Sequence, residues 1–279
     1  MSCPDCLRGH VRDGTPTGKV AQIHGRATYV AEPPAGVQPK GVVVIVSDIF
    51  GWDFVNSRLL ADHYAASGGF LVYLPDFMDG SGIPAWLTDV LPKAMSSKTI
   101  GDWLWKPWYM SQIAFYVVPW MIANRFGVSW TKVRSFFAAV RHDEGGARGL
   151  SVGAAGFCWG GKHSVFLTHA ESVTDDGKPL VDAIFIAHPS VLKYPDDYAK
   201  VAKPASMAIG DKDMTVTMEQ VDIVQKTWGS MPDVDTEVVV YPGANHRFAV
   251  RVDPFNENLL RQCQEAEDQA IAWFGKHFK

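Results

Sequence analysis

The feature that most constrains the fold of this chain is a repeated alternation of short, uninterrupted apolar runs with stretches of helical spacing. The predicted strands are GVVVIVSDIFG, FLVYLPDF, GLSVGAAGF, VDAIFIAHP, PASMAIGD and TEVVVYPG. The predicted helices are FVNSRLLADHYAASGG, GKHSVFLTHA and LLRQCQEAEDQAIAWFGKHF. Uninterrupted apolar runs are typical of strands that are covered on both faces. The alternation therefore predicts an α/β fold, with a mainly parallel sheet and helices on both of its faces.

A hairpin and a single hydrophobic core complete the expected organisation. The stretch GKVAQIHGRATYVA predicts two short strands joined by a turn at His24-Gly25-Arg26. The chain has 279 residues, which is at the upper end of what one core usually supports. Its content of 47% hydrophobic and 20% charged residues is ordinary for a globular enzyme. We therefore expect one domain over residues 1–279.

The stretch from about residue 80 to residue 149 interrupts the alternation. It is rich in Trp, Phe, Tyr and Met, and Pro107 and Pro119 are expected to break its helical segments. The uncharged run between Lys106 and Arg125 contains both prolines and polar residues, and it falls short of the ~20 apolar residues that span a membrane. We expect this insertion to pack on the sheet, either as a cap over the site or as a pair of core helices.

Charge and cysteine content exclude several classes of partner. The formal net charge is -4 and the chain has no Lys/Arg-rich run, so neither nucleic-acid binding nor stable membrane insertion is expected. Four cysteines are too few for a disulfide framework in a chain of this length, and the N-terminus lacks the pattern of a secretory signal. These features predict a cytoplasmic protein with a small-molecule substrate.

The stretch GFCWGG places Cys158 between a predicted strand and a predicted helix. A sharp strand-to-helix turn needs glycines, and it lifts the central side chain above the sheet at a helix N-terminus. A helix N-terminus or an imidazolium neighbour lowers the pKa of a thiol from its usual ~8.5, so Cys158 is a candidate nucleophile. The alternative is a small, buried structural thiol.

A base and an acid follow Cys158 in the chain order expected for such a nucleophile. MAIGDKDMTV ends one strand with Asp211 and Asp213, and VVVYPGANHRF ends the next with His246. These loops share the carboxyl edge of a parallel sheet, so the three kinds of side chain are expected to meet there. His246 would take the thiol proton and later activate water, while the aspartate orients the imidazole. Either aspartate fits this argument.

Oxyanion donors and pocket walls are expected from the neighbouring loops. The backbone N–H groups of Ile49 and Trp159 are the candidate donors. Asp48 becomes an acidic neighbour of the thiol, unless its carboxylate caps the following turn. The candidate pocket-lining residues are Phe50, Trp52, His188 and Phe248.

Four ordered motifs resemble the dienelactone hydrolase (carboxymethylenebutenolidase) family, a branch of the α/β-hydrolase fold with a cysteine nucleophile. They are VSDIFGW, GFCWGG, GDKDMTV and NHRFA. The resemblance implies a triad of Cys158, Asp213 and His246, and it selects Asp213 because a hydrophobic-x-Val pattern follows that residue. It also implies an ester or lactone hydrolase that needs no cofactor.

Two departures from the bacterial members concern activation of the thiol and choice of substrate. Those members have a glutamate that controls ionisation of the thiol, whereas this chain has Asp48. They also have an arginine four residues after the catalytic histidine, which holds the substrate carboxylate; here that position is Val250, followed by Arg251. The aromatic insertion resembles longer, eukaryotic-type members. We therefore expect a larger or more apolar substrate than dienelactone.

Cys3 and Cys6, with His10 beyond them, supply at most half of a zinc site. A closed zinc site needs four ligands, normally from a second such pair, and the sequence has none. No metal site is therefore expected.

Three functions fit these residues. The leading hypothesis is a hydrolase of a lactone, ester or thioester. The second is a biosynthetic tailoring enzyme that uses the same pocket for cyclisation, isomerisation or C–C cleavage, because a fold does not fix a reaction. The third is a ligand-binding protein with a silent triad. A homodimer is compatible with each.

Overall fold

A single eight-stranded sheet runs through the computed structural model, which describes residues 14–96, 99–143, 149–252 and 255–279. Its strands are β1 (Lys19–Ile23), β2 (Arg26–Ala31), β3 (Val42–Val46), β4 (Leu71–Pro75), β5 (Val152–Phe157), β6 (Ala183–Ala187), β7 (Ala205–Gly210) and β8 (Thr236–Tyr241). The strand order is β1-β2-β4-β3-β5-β6-β7-β8. β1 and β2, and β2 and β4, pair antiparallel, and every other neighbouring pair is parallel. The prediction of a mainly parallel sheet is confirmed.

Helices cover both faces of the sheet. They are α1 (Val55–Gly68), α2 (Leu87–Met95), α3 (Ile100–Ala123), α4 (Phe126–His142), α5 (Trp159–Leu167), α6 (Met218–Gly229) and α7 (Glu257–His277). A Cβ atom at Gly153 of β5 would lie 2.5 Å from the Phe274 ring of α7, and one at Gly156 would lie 2.3 Å from Ser164 Oγ of α5. Gly153 and Gly156 are three residues apart on one strand, so they face opposite sides. Glycine is thus required where two helices approach the central strand closely.

The hairpin forms where it was predicted. β1 and β2 are joined at His24 and Gly25, whose φ angles are 47° and 78°. Two consecutive positive φ angles define the two-residue turn whose twist matches that of the flanking strands. Arg26 already belongs to β2.

The predicted break of the insertion at its prolines is wrong. α3 runs through both Pro107 and Pro119, and it begins with a capping box between Thr99 and Asp102. Both prolines are exposed, and so are Trp103 and Phe115, the residues whose carbonyl groups the two prolines leave without a helical N–H. Within the described part of the chain, no helix is long and apolar enough to cross a membrane.

The three insertion helices differ in their packing. α4 buries a full apolar face, and its Phe136 makes edge-to-face contacts with Tyr73 and Phe77 beside β4. α2 and α3 pack on each other, and α3 buries only Val117 and Trp120. α4 is therefore a core helix, whereas α3 keeps most of its surface outside the core.

α6 was not among the predicted helices. It begins with a capping box in which Thr217 and Gln220 bond each other's backbone N–H groups. A Thr-x-x-Gln sequence before an apolar repeat is the signal that indicates this helix start.

Candidate active site

Cys158 occupies the sharp turn between β5 and α5. Its backbone has φ 51° and ψ -111°, a conformation that costs a non-glycine residue about 1–3 kcal/mol. Its N–H donates to the carbonyl of Ala187 at 3.2 Å, and the N–H of Ser190 donates to its carbonyl at 3.1 Å. A Cβ atom at Gly161 would lie 2.7 Å from Pro189, which explains the glycine after the turn. These contacts hold the thiol at the carboxyl edge of the sheet.

The structure brings Cys158, His246 and Asp213 into one hydrogen-bonded chain. The Sγ atom of Cys158 lies 3.2 Å from Nε2 of His246. Nδ1 of His246 lies 3.0 Å from Oδ1 and 2.9 Å from Oδ2 of Asp213. All three side chains are buried. A thiol, an imidazole and a carboxylate in this order can form a nucleophile, its base and the group that orients the base.

The geometry distinguishes the two aspartates. Asp213 contacts His246, whereas Asp211 accepts a hydrogen bond from the N–H of Gly243 at 2.6 Å. The N–H of Thr215 donates to Oδ1 of Asp213 at 2.7 Å, and this bond orients the carboxylate. The hydroxyl of Thr215 also lies 2.9 Å from Nδ1 of His246. Asp213 is thus positioned for the acid role.

The neighbours of His246 shift its pKa in the direction opposite to that of its burial. Burial lowers the pKa of His246, but negative charge on Cys158 and the Asp213 carboxylate outweigh burial and raise this pKa well above 6.5. Each partner's charge favours the charge on the other, so a thiolate at Cys158 and an imidazolium at His246 would stabilise one another. Such a pair provides a nucleophile at neutral pH.

Ile49 and Trp159 line a cavity that opens beside the Cys158 thiol. The loop after β3 and the start of α5 are in close contact there, because a Cβ atom at Gly160 would lie 1.9 Å from the carbonyl oxygen of Val46. Only glycine allows this approach. The loop that carries Ile49 and the helix that begins at Trp159 are therefore in close contact beside the cavity.

Asp48 forms a buried ion pair with Arg251, with its Oδ2 atom facing the guanidinium. Its other carboxylate oxygen accepts a hydrogen bond from the N–H of Phe50 at 3.0 Å, so Asp48 also caps the turn that follows. The guanidinium of Arg251 lies over the Phe50 ring, 4.5 Å from its centre. Burial raises the pKa of Asp48, and the Arg251 charge opposes this rise. Arg251 thus binds a carboxylate of the protein itself, and Asp48 is tied to the loop after His246.

A cavity of about 240 Å³ opens beside Cys158, and most of its wall is apolar. Its lining residues come from the loop after β3, from α3, α4 and α5, and from the loops after β6 and β7; they are Ile49, Trp120, Met121, Asn124, Arg125, Phe126, Cys158, Trp159, Lys162, His163, Ser190, Val191 and Thr215. The aromatic insertion thus forms one side of the cavity. An apolar acyl group would fit against this wall.

The four predicted lining residues lie elsewhere, so far as the described residues define the cavity wall. Phe50 and Trp52 line a separate cleft; Phe50 lies in the turn that the Asp48 carboxylate caps, and Trp52 follows that turn. His188 and Phe248 are buried in contact with each other, behind the base. The His188 ring packs edge to face on His246, with 5.0 Å between ring centres. Burial and the neighbouring cations lower the pKa of His188 well below 6.5.

Two cationic side chains at the cavity were not predicted. The ammonium of Lys162 donates to the carbonyl of Val191 at 2.9 Å and lies over the Phe126 ring, 4.8 Å from its centre. Arg125 donates to the carbonyl of Ile122 at 2.8 Å. Lys162 follows Cys158 by four residues on a helix, and this spacing could have placed it on the side of the thiol.

Ser190 and Thr215 also contact the reacting groups without having been predicted. The hydroxyl of Ser190 lies 3.8 Å from Sγ of Cys158, and Thr215 contacts His246 as described above. Each residue follows a predicted strand by a few positions. Polar residues at these strand ends, besides the acid and the base, could therefore have been predicted to lie near the thiol.

The described residues contain no group of three or more His, Cys, Asp or Glu side chains arranged to hold a metal ion. Cys3, Cys6 and His10, the candidate half-site for zinc, lie outside the described residues.

The fold is similar to solved structures that are remote in sequence. Dienelactone hydrolase from Anabaena variabilis superposes with a TM-score of 0.59 and 13% identity, over 94% of this chain and 98% of that one. Esterase 2 of Thermogutta terrifontis in its apo form superposes with a TM-score of 0.58 and 14% identity, over 95% of this chain and 96% of that one. The predicted α/β-hydrolase fold is therefore confirmed.

The sequence comparisons cover nearly the whole chain. Hydrolase pyvD of Aspergillus violaceofuscus is 26% identical, over 98% of this chain and 96% of the relative. A carboxymethylenebutenolidase homolog of Rattus norvegicus is also 26% identical, over 99% of this chain and 97% of the relative. Residues 27–278 match the dienelactone hydrolase family. The protein therefore belongs to the dienelactone hydrolase family and is an ester or lactone hydrolase.

Proposed function

We propose that the protein hydrolyses a lactone, ester or thioester through a triad of Cys158, His246 and Asp213. The observation that carries this proposal is the continuous chain of contacts from Sγ through the imidazole to the carboxylate, at 3.2 Å and 2.9 Å. The raised pKa of His246 supports a thiolate nucleophile in the resting protein.

In the first half of the reaction, the Cys158 thiolate attacks the carbonyl carbon of the substrate. The N–H groups of Ile49 and Trp159 are the proposed donors to the developing oxyanion. Collapse of this intermediate breaks the bond to the leaving oxygen or sulfur, which takes the proton from His246. The products are the leaving group and a thioester between the acyl group and Cys158.

In the second half, neutral His246 removes a proton from a water molecule, and the water oxygen attacks the thioester. Collapse releases the carboxylic acid and restores the thiolate–imidazolium pair. Asp213 holds the imidazole through Nδ1 and stabilises its charged form in both halves.

The lining of the cavity supports a substrate whose acyl group is apolar and carries an anionic group. Trp120, Phe126 and Trp159 form apolar walls. Among the described residues that line the cavity, Lys162 and Arg125 are the cations, and none is a carboxylate. Because Arg251 is engaged by Asp48, we assign recognition of the anionic group to Lys162 and Arg125.

The remaining proposals concern architecture and location. We propose one domain in which the 80–149 insertion caps the site through the end of α3, since Trp120, Met121 and Asn124 line the cavity. We also propose a cytoplasmic location.

Hydrolysis is tested with p-nitrophenyl butyrate and with the lactone dihydrocoumarin, comparing the wild type with Cys158→Ala. We expect the substitution to lower kcat/KM by at least about 10³-fold, because it removes the nucleophile. Cys263→Ala replaces the other buried cysteine of the described residues and should leave turnover unchanged.

The same reactions run in oxygen-18 water separate hydrolysis from tailoring chemistry. Hydrolysis must place the label in the carboxylate product. Full turnover by Cys158→Ala, or a product without the label, would contradict the proposed function, and ligand binding without turnover would indicate a silent triad.

A further inference from the structure

α3 carries a broad apolar stripe, over about 220° of its circumference, that the described residues leave uncovered. Ten large apolar side chains on this helix are between 40% and 84% exposed; they are Ile100, Trp103, Leu104, Trp105, Trp108, Met110, Phe115, Val118, Met121 and Ile122. Soluble monomers rarely expose contiguous apolar patches larger than several hundred Å², and larger patches mark interaction surfaces. The stripe is therefore a candidate interaction surface.

The centre of the stripe has the spacing of a helix-pairing seam. It is formed by Leu104, Trp108, Ser111, Phe115, Val118 and Ile122, all exposed. These positions are separated alternately by four and three residues, and on an α-helix they fall within an arc of about 80°. Alternating spacings of four and three place side chains along the seam between two packed helices.

The seam is complementary to itself when two copies run antiparallel. A two-fold axis near residue 113 places Leu104 opposite Ile122 and Trp108 opposite Val118. The same axis places the small Ser111 opposite the large Phe115. Facing large and small side chains fill an interface without voids. A two-fold interface requires such self-complementarity, whereas a different protein partner does not.

The exposed area is sufficient for a stable dimer. The five apolar side chains of the seam are 52–73% exposed, so together they can bury several hundred Å² of the ~800 Å² that each partner contributes to a standard interface. Trp103 and Trp105 lie about 100° to either side of the centre of the seam and can add to the interface at its two edges.

The charge of α3 argues against a lipid surface. Helices that bind anionic membranes are rich in Lys and Arg, whereas α3 has one base, Lys106, and one acid, Asp102, in 24 residues. The chain as a whole has a net charge of -4, which anionic lipid repels.

We propose that α3 is a homodimer interface, in which the seams of two copies pack antiparallel about a two-fold axis near residue 113. Met121, which lines the cavity, lies beside the last seam residue, Ile122, so one end of the seam is close to the cavity. The inference rests on the surface of α3 alone, and its test does not depend on turnover.

The oligomeric state is measured by size-exclusion chromatography with light scattering at micromolar concentration. We expect a dimer for the wild type and a monomer for Phe115→Asp, because the carboxylate would be buried in the seam. Phe115 is 71% exposed, so the substitution spares the fold. Val20→Asp changes a similarly exposed apolar residue on β1 and should stay dimeric. A monomeric wild type, including one that binds anionic vesicles, or a dimeric Phe115→Asp variant, would overturn the proposal.

The antiparallel register is tested by disulfide formation on non-reducing gels. In Leu104→Cys/Ile122→Cys, the two new thiols of one copy face those of the other, so oxidation should give a covalent dimer. Leu104→Cys alone should give none beyond the wild-type level, because two such cysteines lie about 27 Å apart in this register. A covalent dimer from the single variant, or none from the double variant, would contradict the proposed packing.

Discussion

The buried pair of Asp48 and Arg251 predicts a large, non-additive effect on stability. Both side chains are fully buried, and they tie the loop that carries Ile49 to the loop that carries His246. Arg251→Met leaves the Asp48 carboxylate buried without its cation, and Asp48→Asn leaves the guanidinium without its anion. Breaking a buried pair from one side typically costs about 3–5 kcal/mol. We therefore expect each single variant to lower the free energy of unfolding by about that amount.

The double variant Asp48→Asn/Arg251→Met separates the interaction energy of the ion pair from the effects of changing each residue alone. It removes both charges, so its loss of stability should be smaller than the sum of the single losses by at least about 2 kcal/mol. The free energies are measured by urea unfolding, with the slope of each transition compared among the four proteins. Strictly additive losses, or single losses below about 1 kcal/mol, would refute the reasoning.

Three further predictions concern single residues. Burial lowers the pKa of His163 from 6.5 to about 4, so the stability that neutral His163 contributes is present above pH 6.5 and falls by about 3 kcal/mol as pH falls to about 4. In His163→Gln, the loss of unfolding free energy between these pH values, measured by urea unfolding, should be smaller by about that amount. An unchanged loss would contradict this assignment. Lys162→Met should lower kcat/KM roughly tenfold for an ester that carries a distal carboxylate, relative to the matched ester that carries a neutral amide in its place. Lys200→Met, which replaces an exposed lysine, should keep the wild-type preference for the carboxylate. Gly160→Ala should destabilise the protein by at least about 3 kcal/mol in thermal unfolding, because its Cβ atom meets a backbone carbonyl at 1.9 Å, and a normal melting temperature would show that the loop can move aside.

The sequence predicts the sheet well because its strands are buried on both faces. In β3, for example, all five residues are apolar and buried, so the burial that organises the fold is visible as an uninterrupted run of letters. The positions of Cys158 and His246 follow from the same logic, because parallel strands end at one edge. Short sequence patterns are sufficient to predict these elements, because burial acts on consecutive residues of one strand.

Contacts between distant parts of the chain account for much of what the sequence did not predict at the site. Asp48 and Arg251 are 203 residues apart, so their pairing leaves no local pattern. Asp48 was expected near the thiol, and only the structure shows that a cation and the following turn engage its two oxygens. The cavity wall depends likewise on the end of α3, whose course through Pro119 contradicts the simple expectation for proline.

The central claim is that His246 activates Cys158 as the nucleophile, and it is tested most directly by the rate of alkylation of Cys158 as pH is varied. Iodoacetamide labelling is followed by mass spectrometry in the wild type and in His246→Ala, with Cys263 as the internal reference. The raised pKa of His246 favours an imidazolium, which stabilises a thiolate at Cys158. We therefore expect Cys158 of the wild type to react faster than Cys263 below pH 7. This advantage should disappear in His246→Ala. Slow labelling of Cys158 that does not change when His246 is replaced would contradict the claim and would indicate a buried structural thiol.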